Sequence, residues 1–424
     1  MGRLWRQIGP GMAAGRRPGD NPGDGSERCD SGPERRHAVA GVTPGPVKRR
    51  EPGPLREVAA VFLKLGVIGF GGPAAHIALM RDEVVRRRRW LAEQQFLDLL
   101  GASALIPGPS STELGMFLGY ARAGRRGLLL AGACFITPAM LMVLALAWAY
   151  VRYGTTPAAA AVLYGVKPVI IGVIAQALWG LAGSAVKNGL LGVVGAAVLG
   201  LYLLGANPIL LLFGGALLVM AVEAGRRRAL SARPTAILLP AGGAKLAASH
   251  SLLTLFLTFL KIGAVTYGSG YVLLAFLHDD FVGHLGWLTN RQLIDAVAVG
   301  QVTPGPVFTT ATFIGYLVAG WPGALLATLG IFLPSFLLAA LVYPLVPRLR
   351  ASPWLRGFLD GANVAALGLM AAVTWQLAHA AIIDALTAVM AIATLLILIR
   401  WKPNSAWLIA GGIVAGVAHQ LITG

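Results

Sequence analysis

Apolar residues along this chain gather in long runs separated by short polar loops, with little of the strict alternation that marks a half-buried strand. Several runs reach about 18 residues, the length a helix needs to cross the hydrocarbon of a bilayer. The pattern predicts an all-α polytopic membrane protein. In the first half the runs fall near residues 55–80, 127–151, 158–181, 189–204 and 208–222, and a comparable series follows residue 250. Between the first two runs lies a more amphipathic stretch holding Gln95 and Asp98. It leads into Leu105-Ile106-Pro107-Gly108-Pro109-Ser110-Ser111-Thr112.

Proline lacks an N–H and disfavours helix in the residue before it, so Pro-Gly-Pro ends one helix and lets another begin. Irregular backbone at membrane depth is tolerated only where protein or water satisfies its polar groups. The motif recurs as Val302-Thr303-Pro304-Gly305-Pro306-Val307-Phe308-Thr309. A single such break reads as a kink, whereas a duplicated one with hydroxyl residues beside it reads as a binding site. The match is wider than the motif. Lys64 and Lys261, Trp90 and Trp287, Asp98 and Asp295, and Pro107 and Pro304 all stand 197 residues apart (261 − 64). Beyond the motif the spacing is 196, as for Tyr120 and Tyr316, Pro138 and Pro334, and Gly165 and Gly361. The chain therefore divides into a tail at 1–54, a first repeat at 55–228, a connector at 229–250 and a second repeat at 251–424.

Composition agrees, with 56% hydrophobic and only 12% charged residues in 424. The net charge of +17 gathers in the tail and in short loops, where orientation and anionic lipid account for it, so nucleic acid is not an expected partner. The tail is rich in Gly, Pro and Arg without apolar periodicity, and is expected to be disordered and to contain no cleaved signal peptide. Cys29 and Cys134 form neither a disulfide framework nor a metal spacing. The flanks of the first Pro-Gly-Pro segment are basic (Arg81 to Arg89, then Arg122, Arg125 and Arg126), which predicts a re-entrant hairpin entered from the cytoplasm. The flanks of the second hold Asp279 and Asp280 before it and Ala319-Gly320 after it, and are expected outside. About five spans plus one broken re-entrant segment per repeat is an odd count, so the two homologous repeats are expected to be inverted. That scheme leaves the basic flank Lys48, Arg49 and Arg50 outside; folding the first apolar segment into a hairpin would move it inside but misplace the later arginine loops, so five spans per repeat are expected.

Chemistry is expected where polarity meets this apolar background. Lys64 and Lys261 lie about ten residues into their segments, roughly 15 Å deep, where a charge costs roughly 2.5–3.5 kcal/mol unless it snorkels or serves a function. The function their charge suggests is anion attraction. Pro107, Gly108 and Pro109, and Pro304, Gly305 and Pro306, precede helix starts whose unpaired N–H groups favour an anion, with hydroxyls from Ser110, Ser111, Thr112, Thr309 and Thr310 and polar atoms from Gln301 and Thr303. The alternative for each hydroxyl is a cap or a bond to the preceding turn. Gly71, Gly72 and Gly268 would let backbone approach the site. Glu113 opposes an anion if charged and could couple protons to it. Asp98 and Asp295 read as helix-surface partners of nearby cations. No P-loop, metalloprotease or nucleophile-elbow motif occurs, and no catalytic residue, metal or cofactor is expected.

Phe62-Leu63-Lys64-Leu65-Gly66 through Phe70-Gly71-Gly72-Pro73, the Pro107-Gly108-Pro109 segment to Gly119-Tyr120, and Val299-Gly300-Gln301-Val302-Thr303-Pro304-Gly305-Pro306 to Gly315-Tyr316 resemble the chromate ion transporter family. The resemblance covers about residues 55–421. It implies a multi-pass bacterial inner-membrane protein of the long type, with antiparallel halves, that exports chromate and confers chromate resistance, with sulfate as competitor. Short members of that family work as pairs, so a homodimer is a candidate assembly. Members carry Gln or Glu at the position of Glu113. A sulfate or organic-anion carrier or channel, and a membrane sensor or scaffold without flux, are the competing readings.

Overall fold

The structure, a computed structural model, describes residues 55–228, 251–267, 270–346, 353–401 and 403–423. The expected tail and connector, and Gly268 among the candidate site residues, lie outside them.

The described residues fold into helices: α1 (Leu55–Ile68), α2 (Gly72–Arg81), α3 (Glu93–Ser103), α4 (Ser110–Tyr153), α5 (Pro157–Ala185), α6 (Gly189–Leu203) and α7 (Pro208–Arg228) in the first repeat. The second repeat supplies α8 (Leu252–Val265), α9 (Leu273–Leu277), α10 (Asn290–Val302), α11 (Thr310–Val342), α12 (Pro353–Ala381), α13 (Ala385–Arg400) and α14 (Ser405–Thr423). Among the described residues, α4, α5, α7, α11, α12 and α14 contain stretches long and apolar enough to cross a membrane, which makes this a multi-pass membrane protein. Polar residues mark the helix starts. The side chains of Thr156, Asn188, Thr289 and Asp384 each accept a first-turn N–H.

The first apolar segment, expected as a span, folds back on itself. α1 ends at Ile68, the chain turns through Gly69–Gly71, and α2 returns into a wide π-type turn at Asp82–Arg87. Lys64 of α1 then pairs with Glu83 at 3.2 Å, and Arg88 reaches Glu57 at 3.0 Å, so the two ends of the segment lie together. The reason is local. Gly71 and Gly72 both have positive φ (102° and 75°), a backbone that side-chain-bearing residues avoid, and Pro73 cannot continue a helix from before it. The Pro-Gly-Pro segment makes the second hairpin: Arg122 donates to Glu57 at 2.8 Å and lies over the ring of Trp90, closing this arm beside the first.

At Ala123-Gly124 the helical run of α4 breaks, and at Ala319-Gly320 α11 breaks with nearly the same angles (Gly124 φ 65°, ψ −154°; Gly320 φ 62°, ψ −149°). Gly119 and Gly127 press together across the first of these turns, Gly315 and Gly323 across the second; a Cβ on any of the four would overlap the facing backbone.

Two contacts establish the inversion. Tyr164, early in α5, donates to Asp384, just beyond α12, whereas Lys187, just beyond α5, pairs with Asp360, early in α12. α5 and its repeat partner α12 are therefore antiparallel, and the two homologous repeats run in opposite directions as expected, although the first-segment hairpin removes one span from the odd count on which that expectation rested.

Candidate functional site

The two Pro-Gly-Pro breaks meet the tips of the opposite repeat. The N–H of Gly108 donates to the carbonyl of Thr266 at 2.7 Å, and the N–H of Gly305 donates to the carbonyl of Gly69 at 2.8 Å. Gly108 and Gly305 are repeat equivalents, and so are Gly69 and Thr266. The bonds are thus one bond drawn twice by a pseudo-two-fold axis. They satisfy backbone groups that irregular structure would otherwise leave unpaired in the protein interior. Both glycines have positive φ (136° and 94°), which fits their place between two prolines.

The first break is the more polar. Pro109 stands at the N-cap of α4 and offers no side-chain acceptor, and its carbonyl takes the N–H of Thr112 at 2.7 Å and of Glu113 at 3.2 Å. Ser111 lies 3.2 Å from Nδ1 of buried His76, whose Nε2 lies 2.8 Å from the carbonyl of Gly69. A carbonyl only accepts, so Nε2 carries the proton, and in the neutral ring Nδ1 accepts from the Ser111 hydroxyl. The Gly69 carbonyl therefore receives both Gly305 and His76, joining the second break, the first hairpin tip and the start of α4. The hydroxyl of Thr112, both carboxylate oxygens of Glu113, the hydroxyl of Ser335 and the amide nitrogen of Gln301 are buried without a hydrogen-bond partner among the described residues. Glu113 and Ser335 both crowd Gly108: a Cβ there would overlap one oxygen from each.

The second break is quieter. Thr303 donates to Val299 and Gly300, Thr309 to Pro306, and Thr310 to Val307. These hydroxyls serve their own preceding turns. Thr309 occupies the repeat position of Glu113, and Ala139 that of Ser335. A Cβ on Gly305 would meet the methyl of Ala139 at 2.7 Å, so the repeat counterpart of Ser335 here offers no polar atom.

Neither predicted lysine stands bare. Lys64 pairs with Glu83, and Lys261 pairs with Asp280 at 2.5 Å, the same contact in each repeat. The lysine side chains are 46% and 43% exposed while their partners are nearly buried (7% and 10%), so each pair ties a hairpin arm to its return. The structure thus brings together Gly69 of the hairpin tip, the segment Pro107 to Glu113 and the segment Gln301 to Thr310, places Gly71 and Gly72 just beyond Gly69 with Gly71 facing Ala75 and Asn404, and leaves the lysines further along the hairpin arms. Sequence reasoning missed His76, Ser335, Glu83, Asp280 and Lys167. Glu83 and Asp280 were findable, because they share the 197-residue spacing of the lysines. Lys167 pairs across the repeats with buried Asp295 at 3.2 Å, and Tyr150 donates to the same carboxylate at 2.9 Å. Asp295 does partner a cation, as expected, but inside the protein.

A cavity of about 380 Å³ lies beside the first break, lined by Pro73 and Ile77 of α2, Ser110, Ser184, Gly270, and Asn363 and Met370 of α12. Its wall is largely apolar with a few polar groups, the composition of small-ligand sites.

The chromate transporter family matches this chain twice, at residues 56–220 and 253–417, again 197 apart (253 − 56). A chromate transport protein of Cupriavidus metallidurans is 35% identical over 381 residues, covering 87% of this chain and 94% of the relative. A chromate transport protein of Pseudomonas aeruginosa is 33% identical over 386 residues, covering 86% and 92%. No solved structure matches.

Proposed function

The chain belongs to the chromate transporter family, and we propose that it is a secondary transporter that exports chromate, a tetrahedral dianion, across a bacterial inner membrane and so confers chromate resistance. The observation that carries this reading is the pair of reciprocal bonds, Gly108 to Thr266 and Gly305 to Gly69, which puts two broken helices at the centre of an inverted repeat. Inverted-repeat carriers bind substrate at such breaks, where helix starts offer N–H groups to an anion without the cost of burying a full countercharge. Ser110, Ser111 and Thr112 would supply hydroxyls at the first break. Gln301 would supply an amide at the second, between backbone contributed by Gly108 and Gly305. Gly71 and Gly72 would let the first hairpin tip approach the substrate. Lys64 and Lys261 would lend a positive charge already shared with a carboxylate.

An inside-negative potential moves a dianion outward with about 4.6 kcal/mol per 100 mV, twice the single-charge value. Export therefore needs no further energy source, and Glu113 is the group through which protons would modulate it. The test is initial-rate chromate uptake into everted vesicles under an imposed potential, with sulfate as competitor. Uptake that rises with an interior-positive vesicle potential and is reduced by sulfate is expected. Absence of flux in vesicles containing normal amounts of protein would refute transport, and flux indifferent to potential would refute the electrogenic mechanism.

A further inference from the structure

The cavity beside the first break exposes an amide that the repeat pattern does not anticipate. Asn363 lies in α12 among Ala362, Val364, Ala365 and Ala366, an apolar stretch of a membrane-spanning helix, and its side chain faces the cavity. No described residue hydrogen-bonds it. Asn363 is exposed to the cavity, so its amide N–H groups are open to an occupant, and a hydrogen bond from them to a charged oxygen is stronger than one to a neutral acceptor.

Its repeat equivalent sharpens the point. The 196-residue spacing that relates Gly165 to Gly361 relates Lys167 to Asn363. Lys167 is engaged by Asp295, which Tyr150 also holds, and only 17% of its side chain is exposed. One half thus closes this position with an ion pair, and the other leaves a neutral donor facing open space. Ser110 lines the same cavity at the start of α4, so the amide and the helix start converge on it. Neutral donors hold a dianion by hydrogen bonds alone and let it leave, which a lysine at the same place would hinder.

We propose that Asn363 is a specificity-determining residue that donates its amide N–H to a tetrahedral oxyanion seated in this cavity. The proposal rests on the transport reading for its substrate class, but binding can be read without flux. In a background carrying both Cys29→Ser and Cys134→Ser, Asn363→Cys should be alkylated by a small thiol reagent, and molybdate, a tetrahedral oxyanion that does not oxidise thiols as chromate would, should slow that reaction in a saturable way. Asn363→Ala should raise the KM for chromate roughly tenfold, the loss of one hydrogen bond to a charged group, with membrane abundance unchanged. Asn363→Asp should abolish saturable uptake, because a carboxylate repels the dianion. Molybdate protection in a protein without flux would support the binding site while refuting export. Wild-type KM in the alanine and aspartate variants, with no protection of the cysteine, would overturn the proposal while leaving export standing.

Discussion

At the scale of single residues, the first break is distinguished by Glu113. It lies in the first turns of α4, where a carboxylate is favoured by the helix dipole and competes with any anion for the same positive end. It is fully buried, with no cation paired to it among the described residues, and crowds Gly108 together with Ser335. Ionised, it repels chromate from the helix start; protonated, it becomes a neutral hydrogen-bonding group. Flux by the native protein should therefore fall as pH rises, since deprotonation restores the competing charge. Glu113→Gln fixes the neutral state with nearly the same shape, and its flux should be flat across the same pH range. Parallel pH profiles for the two proteins, measured as initial rates in everted vesicles, would remove Glu113 from the coupling role.

At the scale of elements, each repeat opens on a hairpin tied by charge. Lys64 to Glu83 and Lys261 to Asp280 join outgoing and returning arms, and Glu57 gathers Arg88, Arg122 and Trp90 where both hairpins of the first repeat end. Removing one member of an ion pair is costly chiefly where the other is nearly buried and left uncompensated. Glu83 keeps Arg88 at 2.9 Å when Lys64 is removed, whereas Asp280 has Lys261 as its one ion-pair cation among the described residues. Lys261→Gln should therefore lower chromate flux several-fold, and adding Asp280→Asn should recover most of it by removing the stranded carboxylate. A double variant no better than Lys261→Gln alone, at equal membrane abundance, would show that the lysine acts on the anion rather than on the hairpin.

At the scale of the whole molecule, inversion makes equivalent turns lie on opposite faces. The turn at Ala123-Gly124 is followed by exposed Arg125, and the turn at Ala319-Gly320 by exposed Trp321, its repeat equivalent. Arg81, Arg86 to Arg89, Arg122, Arg125 and Arg126 lie near the first in sequence, and the positive-inside tendency predicts that this turn faces the cytoplasm. A cysteine at Trp321, in a background carrying both Cys29→Ser and Cys134→Ser, should react with an impermeant reagent added to intact cells, and one at Arg125 should react only in everted vesicles. Labelling of both from the same side would contradict the inverted arrangement, and the reverse pattern would contradict the assigned orientation.

The sequence by itself determined the features that depend on composition, local backbone chemistry and spacing. Long apolar runs require helices in a bilayer, paired prolines require breaks, and an offset of 197 residues that slips once to 196 requires two copies of one unit. It also carried Pro107 to Glu113 and Gln301 to Thr310 as the polar centre, because hydroxyls beside broken helices stand out against an apolar background. Only the tertiary structure decided what those residues touch. The first segment turns back at Gly69–Gly71, a choice that apolar length alone leaves open because both a span and a hairpin bury it. Lys64 and Lys261 look like bare buried charges until folding brings Glu83 and Asp280 beside them. His76, Ser335, Lys167 and Asn363 gain meaning only from partners or space contributed by distant segments, and a one-dimensional pattern holds no record of which side chains meet across an interface between repeats.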